Sequence, residues 1–374
     1  MRITAALARA VSAPMSLEAV ELDAPRADEV LVRLVATGIC HTDMAMRDHK
    51  IYPIPHPAVL GHEGAGVVEQ VGSAVTRVAP GDHVVLSFGS CGACPACADH
   101  RPSYCEHFNE YNFHGTRGDG TTPLHQHGQP VSFFQAQSSF ATRTVCSERS
   151  VIKVPPEAPL DLLCPLGCAV QTGAGGVINS LGLAAGQSIA IFGTGSVGLC
   201  ALMAAKMLGA GTIVAIDRSD ERLALARRLG ATHTVNTDHE SVPDAMRRIS
   251  AAGVDYTFET TANMALLRQA TEILARRGVC GFVGGIPAGT EVTLDVEHMM
   301  TGGRTFRGII LGDSDPQDFI PRMAEAIVSG AFPIGEIVTR YPFSQINKAI
   351  ADSLSGETVK AVLMFDTATT EAAA

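Results

Sequence analysis

Gly193-Thr-Gly195-Ser-Val-Gly198 lies between a β-branched apolar run, Ser188-Ile-Ala-Ile-Phe192, and an apolar stretch with helical character over about 197–208. Such a turn fixes much of what can surround it. Gly193 permits a tight reversal, Gly195 lets backbone approach a pyrophosphate, and Gly198 lets helix and strand pack closely. The helix N-terminus then offers free N–H groups and a positive dipole to phosphates. The glycine pattern alone is weak, because small loops match it by chance, but here its context is met. Asp217 closes the next strand, Thr212–Asp217, 19 residues after Gly198. A carboxylate there can accept hydrogen bonds from ribose hydroxyls and repels a 2′-phosphate, which favours NAD over NADP. Arg218, next in the chain, works the other way, since it can pair with that phosphate. Helix-like and strand-like runs continue to alternate: a helix over 220–229, a strand over 232–236, a helix over 242–252 and a strand over 256–259. Alternation of this kind predicts a parallel sheet with helices on both faces, an α/β doubly wound domain reaching to about residue 310.

Before residue 160 the chain reads as short strands broken by Gly and Pro, among them Val30–Ala36, Gly64–Gly72 and Asp82–Ser87. Residues 107–135, rich in Gly, His, Asn and Thr, read as a loop excursion. His114, His125 and His127 are expected to be solvated there. After 310 the sequence predicts one helix near 316–330 and a strand over 359–365. A length of 374 residues suits two to three domains. The net charge of −10, without a Lys/Arg cluster or any Trp, argues against a nucleic-acid partner. No apolar run reaches the roughly 18–20 residues of a membrane span, so no membrane partner is expected.

Cys91-x2-Cys94-x2-Cys97-x7-Cys105 puts four thiols in one short lobe. Four soft ligands at this spacing suit a closed tetrahedral zinc site. An iron–sulfur cluster shares the first two spacings, but its fourth cysteine would come sooner. Cysteines spaced for metal rather than disulfides suggest a reducing compartment, hence the cytoplasm. A second set is dispersed: Cys40-His41-Thr42-Asp43, Gly61-His62-Glu63 and Gly167-Cys168. Two thiolates and one imidazole would leave a fourth position open, as a catalytic zinc requires. Spacing alone does not show that Cys40, His62 and Cys168 meet. Taken singly, each also fits an ordinary buried cysteine or a satisfied histidine. Cys146, Cys164, Cys200 and Cys280 read as small buried apolar residues.

Taken in order, Cys40-His-Thr-Asp, Gly61-His-Glu-Gly-Ala-Gly, the four-cysteine lobe, Gly167-Cys-x3-Thr172-Gly and the glycine turn resemble the zinc-dependent medium-chain alcohol dehydrogenases over nearly the whole chain. The resemblance implies a GroES-like, mostly β catalytic domain (1–169 and 311–374) and a Rossmann NAD-binding domain (170–310). It implies two zinc ions per chain: one catalytic, on Cys40, His62 and Cys168 with Glu63 behind it and able to exchange onto it, and one structural, on Cys91, Cys94, Cys97 and Cys105. Thr42 would bond the alcohol oxygen and Asp43 would orient His62. Hydride would pass from a zinc-bound alkoxide to NAD. The cofactor would be held by His41, Thr172, Gly193, Gly195, Val197, Gly198, Asp217, Arg222, Ile286 and Lys360. The partners implied are a small alcohol or aldehyde and further copies of the chain, as a homodimer or homotetramer, with Met299-Met300 at an interface or in the core.

The pattern also departs from that family. Many relatives carry a relay histidine five residues after the first zinc cysteine, where this chain has Ala45. Water, His49 or Arg47 are the candidates to replace it. The string Cys40-His-Thr-Asp-Met with Ala45, Ile51-Tyr52-Pro53 and Pro55 resembles the aryl- and benzyl-alcohol enzymes and the allylic geraniol enzymes. Ser87, beside Phe88, stands where ethanol-active relatives often place phenylalanine, and Phe134 and Ile286 are further pocket candidates. The glutathione-dependent formaldehyde branch ranks second, since the acid and arginine it usually carries near Ile51 and Asn109 are missing. A zinc-bearing, NADPH-using reductase of the same fold without metal catalysis, the quinone-reductase type, and a non-enzymatic NAD sensor are disfavoured by the four-cysteine lobe and the complete ligand set.

Overall fold

The six strands that follow Gly182 form one parallel sheet: β1 (Ser188–Phe192), β2 (Thr212–Asp217), β3 (His233–Asn236), β4 (Val254–Glu259), β5 (Leu274–Phe282) and β6 (Thr305–Gly308). Their order, β3-β2-β1-β4-β5-β6, reverses direction between β1 and β4, the place where doubly wound sheets bind ligands. The helix Ser196–Met207 buries every residue from Gly198 to Ala205 and so is apolar nearly all round. The helices after β2, β3 and β4 start at side-chain caps readable in the sequence. Ser219 Oγ accepts from Arg222 N at 3.3 Å, Ser241 Oγ from Asp244 N at 3.3 Å, and Asn263 Oδ1 from Ala265 N at 2.9 Å. The helix after β3 spans Val242–Ile249, shorter than the 242–252 expected, because Gly253 takes a φ of +87° and turns the chain into β4.

The structure is a computed structural model and describes residues 1–366. Two compact units emerge: Ala169–Ser314 with Ala331–Pro333, and the remainder. The breaks fall at 168/169 and 314/315, against 169/170 and 310/311 expected from the sequence. Ser314 stays with the α/β unit because its hydroxyl bonds Gln171 Oε1 at 2.7 Å, while Asn179 Nδ2 holds the Gly312 carbonyl at 3.0 Å. Residues 367–374 of the expected catalytic segment lie outside the described residues.

The other unit is mostly β. A five-stranded closed barrel is built from Arg2–Ala8, Ser16–Leu22, Leu124–Gln126, Gln129–Phe133 and Ala58–Val59. Beside it, a mixed sheet runs in the order Val151–Lys153, His83–Leu86, Gly64–Val71, Glu29–Gly38, Lys360–Met364, Val338–Pro342, with Arg143–Ser147 also pairing to Glu29–Gly38. Two strands of the barrel come from the segment read as a loop excursion. His127 and Gly128 both take positive φ, 52° and 74°, and form the tight hairpin turn between them. The tail holds more than the sequence reading gave it, since a strand, Val338–Pro342, and a helix, Ile346–Ser355, precede the terminal strand Lys360–Met364. No single helix among the described residues is long and apolar enough to cross a membrane.

Candidate active site

The central strand Glu29–Gly38 delivers the chain to Cys40, the N-cap of the helix His41–Arg47. Asp43, in the first turn of that helix and fully buried, organises the site. One oxygen accepts from Cys40 N at 3.0 Å, the other from Gly61 N at 3.0 Å and His62 Nδ1 at 2.8 Å. Two stretches of chain are thereby fixed through one carboxylate. In the neutral form of His62, with Nδ1–H donating to Asp43, the lone pair sits on Nε2. Gly61 takes a φ of +91°, and a Cβ there would meet Phe140. Cys168 arrives from a 3-10 turn, Cys164–Gly167, and Gly167 has no room for a side chain against the Leu86 carbonyl.

From these three stretches the ligand atoms of Cys40, His62 and Cys168 come within 4.8 Å of one another. His62 Nε2 is buried without a hydrogen-bond partner in its surroundings. A buried polar nitrogen left so is costly, and a metal ion would satisfy it. The two thiols interact directly. Hydrogen bonding with Cys168, reinforced by the charge of His62, holds Cys40 well below the usual thiol range. Burial opposes charge on His62, but Asp43 and Cys40 outweigh it and raise that imidazole well above its usual value. The donor set is that of an open, three-ligand zinc site. Thr42 Oγ1 lies 3.7 Å from Cys40 Sγ, beside this cluster.

Cys91, Cys94, Cys97 and Cys105 form a second cluster, their sulfurs also within 4.8 Å of one another. Cys91 and Cys97 are 4.0 Å apart and Cys94 and Cys105 3.9 Å, close to the ~3.8 Å that tetrahedral zinc with ~2.3 Å bonds requires. A disulfide would need ~2.05 Å. Backbone amides point at the sulfurs: Cys105 Sγ accepts from Cys91 N at 3.3 Å and Cys91 Sγ from Cys94 N at 3.3 Å. Backbone N–H groups of Glu106 and Cys97 bring the Cys94 thiol down to about 6, whereas burial pushes Cys105 up to about 12.

In the α/β unit, Gly193 follows β1 with a φ of +89° and Gly195 caps the next helix. A Cβ on Gly198 would collide with the Gly193 carbonyl, while one on Gly195 would meet nothing within 4 Å. Closeness at the first pair and openness at Gly195 are what a pyrophosphate cradle needs. Asp217 does more than its sequence position suggests. Oδ2 accepts from Thr194 N and Oγ1, both at 2.7 Å, and Oδ1 from Arg218 N at 2.8 Å and Ser219 N at 3.1 Å. The carboxylate thus braces the glycine turn. Val197 and Thr172 are half-buried on facing helices, with the Val197 carbonyl against Gly173. Arg222 is half-buried one turn into the helix after β2, where burial lowers its basicity, and Ile286 lies in the loop after β5.

Two family models match the chain: an alcohol dehydrogenase GroES-like domain over residues 26–156 and a zinc-binding dehydrogenase domain over 196–329. The geraniol dehydrogenase of Castellaniella defragrans is 43% identical over 364 residues, covering 96% of this chain and 97% of that one. The chain belongs to the medium-chain zinc alcohol dehydrogenases. Among solved structures of this family, an alcohol dehydrogenase zinc-binding domain protein from Burkholderia ambifaria matches with a TM-score of 0.96 and 52% identity, over 98% of this chain and 99% of the other. Benzyl alcohol dehydrogenase from Acinetobacter calcoaceticus matches with a TM-score of 0.95 and 41% identity, over 98% and 100%.

Within this alcohol dehydrogenase framework, Glu63 and Lys360 are held by each other. Glu63 is not part of the ligand cluster. Its carboxylate, fully buried, is paired with Lys360, whose ammonium also donates to the Ile39 carbonyl at 3.0 Å. Lys360 is itself buried. The physical reason is mutual: a buried carboxylate and a buried ammonium each need an opposite charge. Burial raises Glu63 to about 7 even against that lysine. Gly38 leaves the room, since a Cβ there would collide with the Glu63 carboxylate. His41 is exposed at the start of its helix.

The candidates to replace the missing relay histidine are already engaged. Arg47 is buried against Asp48 at 2.7 Å, and His49 stacks on His56 with ring centres 4.8 Å apart while its Nε2 meets the Ile54 carbonyl at 2.9 Å. Ser87 is fully buried, and Phe88 packs on Phe108. Sequence reasoning missed Phe113 and Gln137. The first lies in the segment read as a loop, and no motif marks the second.

Proposed function

We propose that this zinc alcohol dehydrogenase interconverts primary aromatic or allylic alcohols with their aldehydes, using NAD. The observation that carries the chemistry is the convergence of Cys40, His62 and Cys168 around the unpartnered His62 Nε2. Zinc held there would supply a Lewis acid for an alcohol oxygen, and NAD would supply the hydride acceptor. The chain's own residues do the rest. Asp43 locks the tautomer and direction of His62, and Thr42, beside Cys40, offers a hydroxyl that can accept a hydrogen bond from the substrate alcohol and pass its own proton on to water. Lys360 compensates the Glu63 charge behind the ligands. The four-cysteine lobe would hold the second, structural zinc.

The substrate class rests on an aromatic run that ends on a metal ligand. Tyr52 stacks on Phe113 at 5.1 Å, Phe113 meets Phe134 at 6.2 Å, and Phe134 stands edge-on to His62 at 5.6 Å. Phe134 is itself fully buried in the core behind the ligand, so the exposed end of the run, Tyr52, is where a flat ring or conjugated chain could pack. The names of two relatives, geraniol and benzyl alcohol dehydrogenase, support the same class. For the cofactor, the fixed negative charge of Asp217 supports NAD over NADP. A panel of ethanol, benzyl alcohol, cinnamyl alcohol, geraniol and S-(hydroxymethyl)glutathione with NAD and NADP tests the reading. Benzyl, cinnamyl or geranyl alcohol with NAD should give the highest kcat/KM, and dominance of the glutathione adduct would reject it.

We also propose that copies of the chain associate along β6, one of the two edges of the parallel sheet. Val296 and Met300 beside it are about three-quarters exposed, at 76% and 72%. Apolar side chains next to an unpaired edge invite a partner strand. Light scattering should give a dimer or tetramer, and Met300→Glu should weaken it. The metal-spaced thiols support a reducing compartment, the cytoplasm, as the site of action.

A further inference from the structure

The segment Phe134–Phe140 is buried throughout, yet three of its non-glycine residues sit in the left-handed region: Gln135 at φ 46°, Ala136 at 54° and Ser138 at 45°. Such conformations are uncommon for residues with a Cβ and persist only where the surroundings impose them. Here the surroundings are the segment that carries His62. Ser139 N and Phe140 N donate to the Gly61 and Leu60 carbonyls, both at 2.9 Å. Ser138 Oγ donates to the Val59 carbonyl at 2.7 Å, and Ser139 Oγ meets Thr37 Oγ1 at 2.7 Å. At the centre lies Gln137, fully buried. Its Oε1 accepts from Gly64 N at 3.0 Å, while Nε2 donates to the His62 carbonyl at 3.0 Å and to the Ser87 carbonyl at 3.3 Å. One side chain therefore grips the backbone on both sides of Glu63, including that of the metal ligand itself, and ties it to the neighbouring strand.

We infer that Gln137 is a positioning residue for the three-ligand metal site: its amide sets the backbone of His62 from one side, as Asp43 sets the ring from the other. A glutamine is suited to this work. It offers a donor and an acceptor in one plane without adding charge beside two thiolates and a carboxylate. The strain at Gln135, Ala136 and Ser138 is the conformational cost of bringing that amide to bear.

The inference rests on the zinc-site reading, and its test separates the two. Wild type, Gln137→Met and Gln137→Glu are prepared as holoenzymes and with cobalt exchanged into the three-ligand site. Methionine keeps the shape and loses all three bonds. Glutamate keeps the acceptor for Gly64 N and turns both donations into repulsions. Contacts that orient metal ligands typically govern affinity by about 10- to 100-fold, so both variants should release metal from this site to a chelator faster or more completely by that factor. The ligand-field bands of cobalt should shift, while the four-cysteine zinc remains as the internal control, and kcat should fall more than KM rises. Unchanged cobalt bands and unchanged metal release in folded variants would overturn the inference. So would loss of both metal sites together with the fold, which would make Gln137 a residue of the general core. If wild type takes up no cobalt at Cys40, His62 and Cys168, the proposed function fails instead.

Discussion

Replacing Asp43 by asparagine changes one oxygen to an amide and removes one charge, at a cost the hydrogen bonds around it define. The carboxylate accepts from three buried donors: Cys40 N on one oxygen, Gly61 N and His62 Nδ1 on the other. An asparagine has one acceptor, so either orientation sets its NH2 against a donor. Facing Cys40 N, it loses one bond to a charged group, about 1.5–3 kcal/mol, and leaves a buried N–H unpaired. Facing His62, it drives the imidazole to the other tautomer and puts a proton on Nε2, where the metal should bind. The combined expectation is a destabilisation of about 2–4 kcal/mol and a loss of metal affinity or activity of about 10- to 100-fold. Asp43→Asn should therefore show lowered zinc occupancy at the three-ligand site by chelator titration, lowered kcat and easier denaturant unfolding, with the four-cysteine zinc retained. A variant matching wild type in zinc affinity and kcat would refute the claim that Asp43 sets the site through His62.

Three further outcomes are expected from other parts of the molecule. Gly198→Ala places a methyl group on the Gly193 carbonyl, so NADH affinity, measured by the fluorescence of the bound nucleotide, should fall at least about tenfold, which is ~1.4 kcal/mol, and unchanged affinity would remove the cradle argument. Asp217→Ser deletes the charge facing a 2′-phosphate and the acceptor for Thr194; the NADP-to-NAD ratio of kcat/KM should rise on the order of 10- to 100-fold, with absolute NAD efficiency falling. Arg9 and Ser16 hydrogen-bond Glu18 and lower it from 4.5 to about 2, so its contribution to stability is present above pH 4.5 and lost as pH falls through 2. Because the pair is exposed, Glu18→Gln should flatten the acid limb of unfolding between those values by under ~1 kcal/mol, and a limb as steep as wild type would contradict this.

What the sequence revealed divides along physical lines. The β1–glycine–helix unit and its capped successors were legible because local rules decide them: β-branched strands, Ser or Asn at helix starts, glycine where a Cβ has no room. The four-cysteine lobe was legible because its close spacing suits few roles but metal binding, whereas Cys40, His62 and Cys168 were joined only by the family resemblance, since no local rule links segments so far apart. The barrel hairpin Leu124–Phe133 was hidden, since its strands are short and its polar residues resemble those of a loop. The turn residues His127-Gly128 were the only local sign. Lys360 and Glu63 could be named as a basic and an acidic residue, but their pairing depends on two segments far apart in the chain meeting in the core. Gln137 carried no signal at all, because its role is defined by three backbone atoms of segments far from it in the chain.

Diffraction data collected on both sides of the zinc absorption edge, from crystals of catalytically active protein, address the main proposition most directly. The anomalous difference map should show two peaks per chain. One should lie about 2.3 Å from the sulfurs of Cys40 and Cys168 and about 2.0–2.1 Å from His62 Nε2, and the other at the centre of Cys91, Cys94, Cys97 and Cys105. Active crystals with a single peak, or none near His62, would contradict it.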